Sequence, residues 1–350
     1  MLVILFLLNI SFANAVSSTP VESVVIPTSI ISELKFDNKL PSILKAKLFL
    51  PEDSSPKHSV VIILSASGGI KKHREIYYAN ELIKNGIAAL VVDSEASRNL
   101  SSVPSNQFQV TTSDYELDAF VANKFLSKDK RFDSNKIGVM GVSKGGAATH
   151  FLAMNIRRKW RRSQDYKFAA YASLSPSCFQ FHRNSSTDGK PMLFMLAELD
   201  DASSPKDCLE LIKNIKAAGN LNIKSKIYIG AHHAWESIGK VHYHKTSMMF
   251  GRCLYTFADD GMIFPYATGI GMSEEEWKRW ALKNCIYRGG VDGGGTLELK
   301  RKATDDLMAF FIGAGFGGIT KVNKTQLQPQ TCDPSRSTVD EKSLNQCKLK

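Results

Sequence analysis

Past its N-terminus, the 350-residue chain has no apolar run approaching the ~18 residues that a membrane-spanning helix needs, which excludes a polytopic membrane protein. No internal repeat is visible. None of the six cysteines stands in the CxxC spacing of a zinc or redox site. Charged residues are only 23% of the chain and apolar residues 43%, close to globular values, so neither wholesale disorder nor a collagen-like chain fits. Acidic residues are in the minority, 34 against 45 Lys plus Arg, giving a formal net charge of +11. That excess permits attraction to anionic surfaces or substrates and carries no information about fold. The length suffices for one large core or two modest ones.

The first fifteen residues carry no charged side chain. They read as an apolar core over 2–8 followed by Ala13-Asn14-Ala15, small residues at the spacing a signal peptidase accepts. Residues 1–15 are therefore expected to be a signal peptide cut after Ala15, and the protein to be exported, periplasmic or secreted. The segment is too short for a stable membrane anchor; a buried N-terminal strand or helix is the plainer alternative. An even number of cysteines after such a signal suggests disulfides. Consecutive pairing, Cys178 with Cys208, Cys253 with Cys285 and Cys332 with Cys347, keeps each loop local and is the expected arrangement among the 15 possible.

Beyond a polar, β-branched lead-in over 16–40, strands and helices alternate. Residues 44–50, 59–64, 87–92, 136–140, 168–174, 192–196 and 226–229 read as strands, several of them continuous apolar runs of the kind buried on both faces. Helical patterns fall at 75–85, 115–126, 144–157 and 205–218. Strands separated by helices of this length predict an α/β fold, a mostly parallel sheet with helices on both faces. The stretch 245–300, with two cysteines and the run Gly289-Gly290-Val291-Asp292-Gly293-Gly294-Gly295, is less regular and reads as an excursion or flap. A last helix is expected at 303–313. The domain is placed at 16–320 and a polar C-terminal tail at 321–350.

Gly141-Val142-Ser143-Lys144-Gly145 follows an expected strand and opens an expected helix, the context of a G-x-S-x-G nucleophile elbow. The turn is sharp enough that side chains two positions either side of the serine would meet neighbouring elements, hence the glycines. An ordinary Gly-rich strand-to-helix turn is the competing reading. A serine hydroxyl is a poor nucleophile near neutral pH; it needs a base, and the base needs an orienting acid. The acid should follow a later strand, where Glu198, Asp200 and Asp201 stand; Asp200 is preferred and Asp201 is second, though Asp201 or Ser203 could instead cap the helix at 205–218. The base should follow the next strand, where His232 and His233 are adjacent; His233 is preferred. A second oxyanion donor should come from the loop after strand 59–64, with the Ser67 N–H ahead of Gly68, to join the Lys144 N–H.

With these residues in hand, the chain resembles the dienelactone hydrolase family of α/β-hydrolases over roughly 44–311. The resemblance rests on LSASGGI at 64–70, GVSKGG at 141–146, AELDD at 197–201 with Pro205 after it, and YIGAHHAW at 228–235. It implies the α/β-hydrolase fold, Asp200 as acid and His233 as base, and it supports a Cys178–Cys208 bridge as in exported relatives. Founding members use a cysteine nucleophile where Ser143 stands. The expected function is thus a serine hydrolase cleaving a carboxylic ester or lactone through an acyl-enzyme, without a cofactor, on a small-molecule substrate. A peptidase-like acyl hydrolase and a non-catalytic binding or surface protein on the same scaffold are the alternatives.

Other motifs are read blandly. The basic run Arg157-Arg158-Lys159-Trp160-Arg161-Arg162 is expected to be a solvated helix end rather than a nucleic-acid or lipid site. Residues 313–318 fit GxGxxG but open no βαβ unit. Ser203-x-x-Lys206 lacks the partner motifs of penicillin-binding enzymes. His232, His233, His242 and His244 show no recognisable metal-ligand spacing, and no metal is expected.

Overall fold

The most apolar runs in the chain become the central sheet. The computed structural model describes residues 21–34 and 40–317. In chain order the strands are β1 (Val21–Pro27), β2 (Ile43–Phe49), β3 (His58–Leu64), β4 (Ala88–Asp93), β5 (Phe132–Val142), β6 (Tyr171–Leu174), β7 (Gln180–His182), β8 (Met192–Ala197) and β9 (Ile223–Tyr228). All but β7 join one eight-stranded sheet in the order β1-β2-β4-β3-β5-β6-β8-β9. The β1–β2 and β2–β4 pairs are antiparallel. Every pair from β4 through β9 is parallel.

The helices are α1 (Glu75–Lys84), α2 (Thr112–Lys128), α3 (Lys144–Ala153), α4 (Asn155–Arg161), α5 (Pro205–Ala217), α6 (Glu274–Asn284) and α7 (Leu297–Gly313). Successive side chains of a strand point to opposite faces. In β3, Val60, Ile62 and Leu64 accordingly pack with residues of α2, α3 and α5. Val61 and Ile63 pack with residues of α1 and α7. This two-sided burial is why β3 reads as SVVIIL rather than as an alternating strand. The architecture is the α/β-hydrolase fold.

The lead-in is partly structured: β1 is an edge strand whose residues are mostly exposed or half-buried. The helix expected over 144–157 breaks at Met154, whose backbone is extended. The cause lies outside the helix: the Asn155 N–H donates to Ser186 O at 2.9 Å and its side-chain amide to Thr187 O at 2.8 Å, drawing the chain out of register. The last helix begins six residues before the expected start, capped by Thr296, whose side chain accepts the Leu299 N–H at 3.1 Å.

The basic run is solvated only in part: Lys159 and Arg162 are exposed. Arg157 and Arg158 are buried. Arg157 pairs with Glu116, its Nε donating to Oε2 at 2.9 Å, and Arg158 pairs with Asp188 at 3.2 Å. A guanidinium can be buried when a carboxylate on a neighbouring element meets its fork, which a run of like charges in sequence does not reveal.

The stretch after β9 is built from short elements: β10 (His233–Ile238), β11 (His242–Met249), β12 (Tyr255–Phe257), β13 (Ile263–Pro265) and β14 (Tyr287–Gly295). They form two small sheets, β10-β14-β11 and β13-β12-β7. The glycine-rich run is strand β14. Disulfides join Cys178 to Cys208 and Cys253 to Cys285. The expected signal peptide, the C-terminal tail and the Cys332–Cys347 pair lie outside the described residues.

Candidate active site

The carboxyl ends of parallel strands share one edge of a sheet, and loops from four of them meet there. β5 ends at Val142, and Ser143 turns the chain into α3 with φ 55° and ψ −114°, a left-handed conformation rare for a residue with a side chain. Such strain costs on the order of 1–3 kcal/mol and persists only where the surroundings enforce it. The glycines show how they do so. A Cβ on Gly141 would lie 2.2 Å from Gly145 O, and one on Gly145 would lie 2.5 Å from both Leu64 O and Ser65 O. The Ser143 N–H donates to Leu174 O at 2.8 Å, fixing the turn against β6.

Asp200 follows β8 and His233 follows β9. His233 Nε2 lies 3.0 Å from Ser143 Oγ. His233 Nδ1 lies 2.9 and 3.0 Å from the two Asp200 carboxylate oxygens. Asp200 is buried, and its Oδ1 also accepts the N–H groups of Ala202 at 3.0 Å and Ser203 at 2.7 Å. Burial disfavours the imidazolium of His233, but the adjacent Asp200 charge and hydrogen bond outweigh it, and the pKa is raised above the ordinary histidine value.

The neighbouring carboxylates are engaged elsewhere. Asp201 accepts the Asp292 N–H, at 3.1 and 3.2 Å to its two oxygens, which ties the acid loop to β14. Burial raises the Asp201 pKa. Glu198 accepts the Gly230 N–H at 2.8 Å, joining the two loops that carry Asp200 and His233. Ser204, rather than Asp201 or Ser203, caps α5 by accepting the Asp207 N–H. Among the described residues, His232 Nδ1 is buried with no hydrogen-bond partner.

Ser67 and Gly68 line the same cleft, about 390 Å³ in volume, as Ser143 and His233. Ser67 O accepts the Val103 N–H at 2.7 Å, which anchors that loop from the other side. Its floor rides on Glu75, whose carboxylate accepts the N–H groups of Ala66 at 3.2 Å and Lys71 at 2.8 Å and the Arg74 Nε–H at 2.6 Å. Arg74 in turn donates to Gly69 O at 2.9 Å. The Lys144 side chain turns inward, donating to Val110 O at 2.7 Å and Gln107 O at 3.1 Å. Burial pushes the Lys144 ammonium down to about 7, against the opposing pull of Glu95 and Asp114. Among the described residues, no group of three or more His, Cys, Asp or Glu side chains is placed to hold a metal ion.

The model of the dienelactone hydrolase family matches residues 44–257, more than half of the chain. The chain belongs to the dienelactone hydrolase family. No curated protein matches it in sequence. A dienelactone hydrolase-like promiscuous phosphotriesterase from metagenomic libraries is 11% identical with a TM-score of 0.54, over 86% of this chain and 100% of that one. Est1E from Butyrivibrio proteoclasticus is 15% identical with a TM-score of 0.42, over 60% of this chain and 90% of that one. A hyperthermophilic esterase from the archaeon Pyrobaculum calidifontis is 16% identical with a TM-score of 0.46, over 62% and 79%. At these identities the first likeness is one of fold.

Sequence reasoning about this dienelactone hydrolase family member missed Glu75 and Arg74. An adjacent acid and base at a helix start carry no mark of burial in sequence; their position just after the Gly-rich loop is the one signal that could have marked them. It also missed β11, whose Met248 and Met249, with Phe250 just beyond, wall the cleft. Among the described residues of this family member, no helix is long and apolar enough to cross a membrane.

Proposed function

We propose that this dienelactone hydrolase family member is a serine hydrolase that cleaves a carboxylic ester or lactone through an acyl-enzyme. The observation that carries the reading is the unbroken contact from Ser143 Oγ through His233 to Asp200, 3.0 Å and then 2.9 Å, with Ser143 and His233 in the lining of one cleft.

Ser143 Oγ attacks the carbonyl carbon as His233 Nε2 accepts the hydroxyl proton. Asp200 holds the His233 tautomer that carries its proton on Nδ1 and stabilises the imidazolium. The backbone N–H groups of Ser67 and Lys144 receive the oxyanion. His233 returns the proton to the leaving alkoxide, leaving an acyl group on Ser143. Water then attacks that ester, giving one proton to His233, and the imidazolium passes it to Ser143 Oγ as the acyl C–O bond breaks, so that the carboxylic acid leaves and the Ser143 hydroxyl is regenerated. The bonds that form and break require no cofactor.

Export is the companion proposal. The uncharged apolar start with Ala13-Asn14-Ala15 and the two disulfides are both suited to an oxidising compartment. Mass determination of the mature N-terminus tests it: a start at Val16 is expected, and an intact Met1 in the secreting host contradicts it.

The test of the activity is a screen of p-nitrophenyl esters and small lactones with the wild type and Ser143→Ala. The variant should lose turnover by roughly 10³-fold or more while keeping its thermal transition. Undiminished hydrolysis by folded Ser143→Ala overturns the assignment.

A further inference from the structure

A second, smaller cavity of about 100 Å³ adjoins the cleft. Seven aromatic side chains line it, Phe108, Phe151, Phe179, Phe250, Tyr255, Phe257 and Trp277, beside polar residues that include Thr112, Ser177 and Gln180. Four residues, Gln107, Ser177, Phe179 and Phe250, line both this cavity and the cleft that holds Ser143. The partition is therefore one side chain thick. Phe179 and Phe250 are stacked within it as parallel, offset rings, with centroids 5.3 Å apart and planes 4° apart. Gln107 closes it from the side, its amide donating to Met248 O at 3.0 Å on β11.

The chamber has a rigid frame. Phe179, Tyr255, Ile263 and Trp277 form one buried cluster with the bonded Cys253 and Cys285. The rings meet mostly edge to face, as between Phe108 and Trp277 at 6.5 Å and Phe108 and Phe250 at 5.8 Å. Such packing leaves ring faces and edges for a further ring to fill. The nearby cations are already occupied: Arg157 pairs with Glu116, and Lys278 with Glu274 at 2.9 Å. The Lys144 ammonium is held by two backbone carbonyls. The Trp277 indole N–H is buried and has no acceptor among the described residues, an opening that an incoming group could use.

We infer that this chamber is a specificity pocket that receives a flat aromatic arm of the substrate, with the scissile carbonyl at Ser143 and the arm passing the Phe179–Phe250 partition. The inference rests on the esterase reading above and narrows it to aryl-bearing esters. The arm could belong to the acid or to the alcohol, and the two are separable by experiment.

Thr112 lines the chamber at the first, half-buried position of α2, away from Ser143 and His233. Thr112→Trp fills the chamber from its rim, and Thr112→Ser is the control for loss of the native side chain. The acid arm is read from kcat/KM for p-nitrophenyl phenylacetate against p-nitrophenyl acetate. The alcohol arm is read from benzyl acetate against ethyl acetate by pH-stat. The wild type and Thr112→Ser should favour the aryl member of one pair by about tenfold or more, on the scale of apolar pocket discrimination. Thr112→Trp should bring that ratio to within about twofold while its rate on the small ester stays near wild type. A ratio unchanged in Thr112→Trp, or no aryl preference in either pair, overturns the pocket and leaves the esterase reading standing. No cleavage of any of the four esters, nor of the small lactones of the screen above, overturns the hydrolase reading, and the pocket with it.

Discussion

Glu75 holds the Ala66 N–H at 3.2 Å, one residue before the N–H of Ser67 proposed to receive the oxyanion. A buried carboxylate bonded at once to Ala66, Lys71 and Arg74 fixes the loop on which that donor sits. Glu75 touches no substrate in this account; it is a positioning residue.

Glu75→Gln keeps the shape but loses the charge that meets Arg74. It should lower kcat by about 10–100-fold with little change in KM, less than the 10²–10³ typical of deleting an oxyanion donor outright. Steady-state kinetics on an ester that the wild type cleaves reads this split. A change in KM alone would assign the loop to substrate binding.

The raised pKa of His233 gives the pH dependence its sign. The base must be neutral to accept the Ser143 proton, so kcat/KM should rise with pH through a midpoint above the ordinary histidine value of 6.5. Asp200→Asn removes the charge that raises that pKa and leaves burial to lower it, so the midpoint should move down. The same change should cut kcat by roughly 10³–10⁴-fold, because the tautomer is no longer held. A pH–rate profile of both proteins checks the direction.

Gly145→Ala must place a methyl 2.5 Å from the backbone oxygens of Leu64 and Ser65, neither of which can move without disturbing β3. A destabilisation of at least about 1–3 kcal/mol is expected, measured by urea unfolding, with activity lost even in the folded fraction. A wild-type midpoint would mean that the elbow is looser than its geometry.

Arg157→Met leaves Glu116 buried without its partner and should cost about 3–5 kcal/mol. Adding Glu116→Leu should return much of that stability, since an apolar pair of similar size can replace a buried ion pair. Arg162→Ala, at an exposed position of the same basic run, should fall within about 0.5 kcal/mol of wild type. Equal effects of the two arginine changes would contradict the burial of Arg157.

Acid should destabilise the protein through His150. Burial, with Arg157 nearby, lowers its pKa from 6.5 to about 3. Above pH 6.5 both folded and unfolded states hold it neutral. As pH falls from 6.5 toward 3, only the unfolded state gains that proton, so stability is lost across this window. His150→Phe should reduce the slope of stability against pH there by about 1.4 kcal/mol per unit. An unchanged slope would mean that another group dominates.

The sheet was legible because burial on both faces leaves runs such as SVVIIL that no exposed strand would tolerate. The elbow was legible because its turn demands glycine at fixed offsets. The contact between Ser143 and His233 could be anticipated only through chain order, since it joins residues ninety positions apart. What stayed hidden has a common cause. β14 is so rich in glycine that its side chains carry little periodicity. Arg157 and Arg158 look like surface until Glu116 and Asp188 arrive from elsewhere in the chain. Met154 has no helix-breaking signal of its own; Ser186 and Thr187 pull it out.

The central claim is that Ser143 is an activated nucleophile. Reaction with a fluorophosphonate, followed by peptide mass mapping, tests it most directly. The account predicts one phosphonyl adduct, on the peptide bearing Ser143, lost in Ser143→Ala and strongly slowed in His233→Ala. A folded wild-type protein that takes no adduct, or takes it at the same rate when His233 is alanine, contradicts the account.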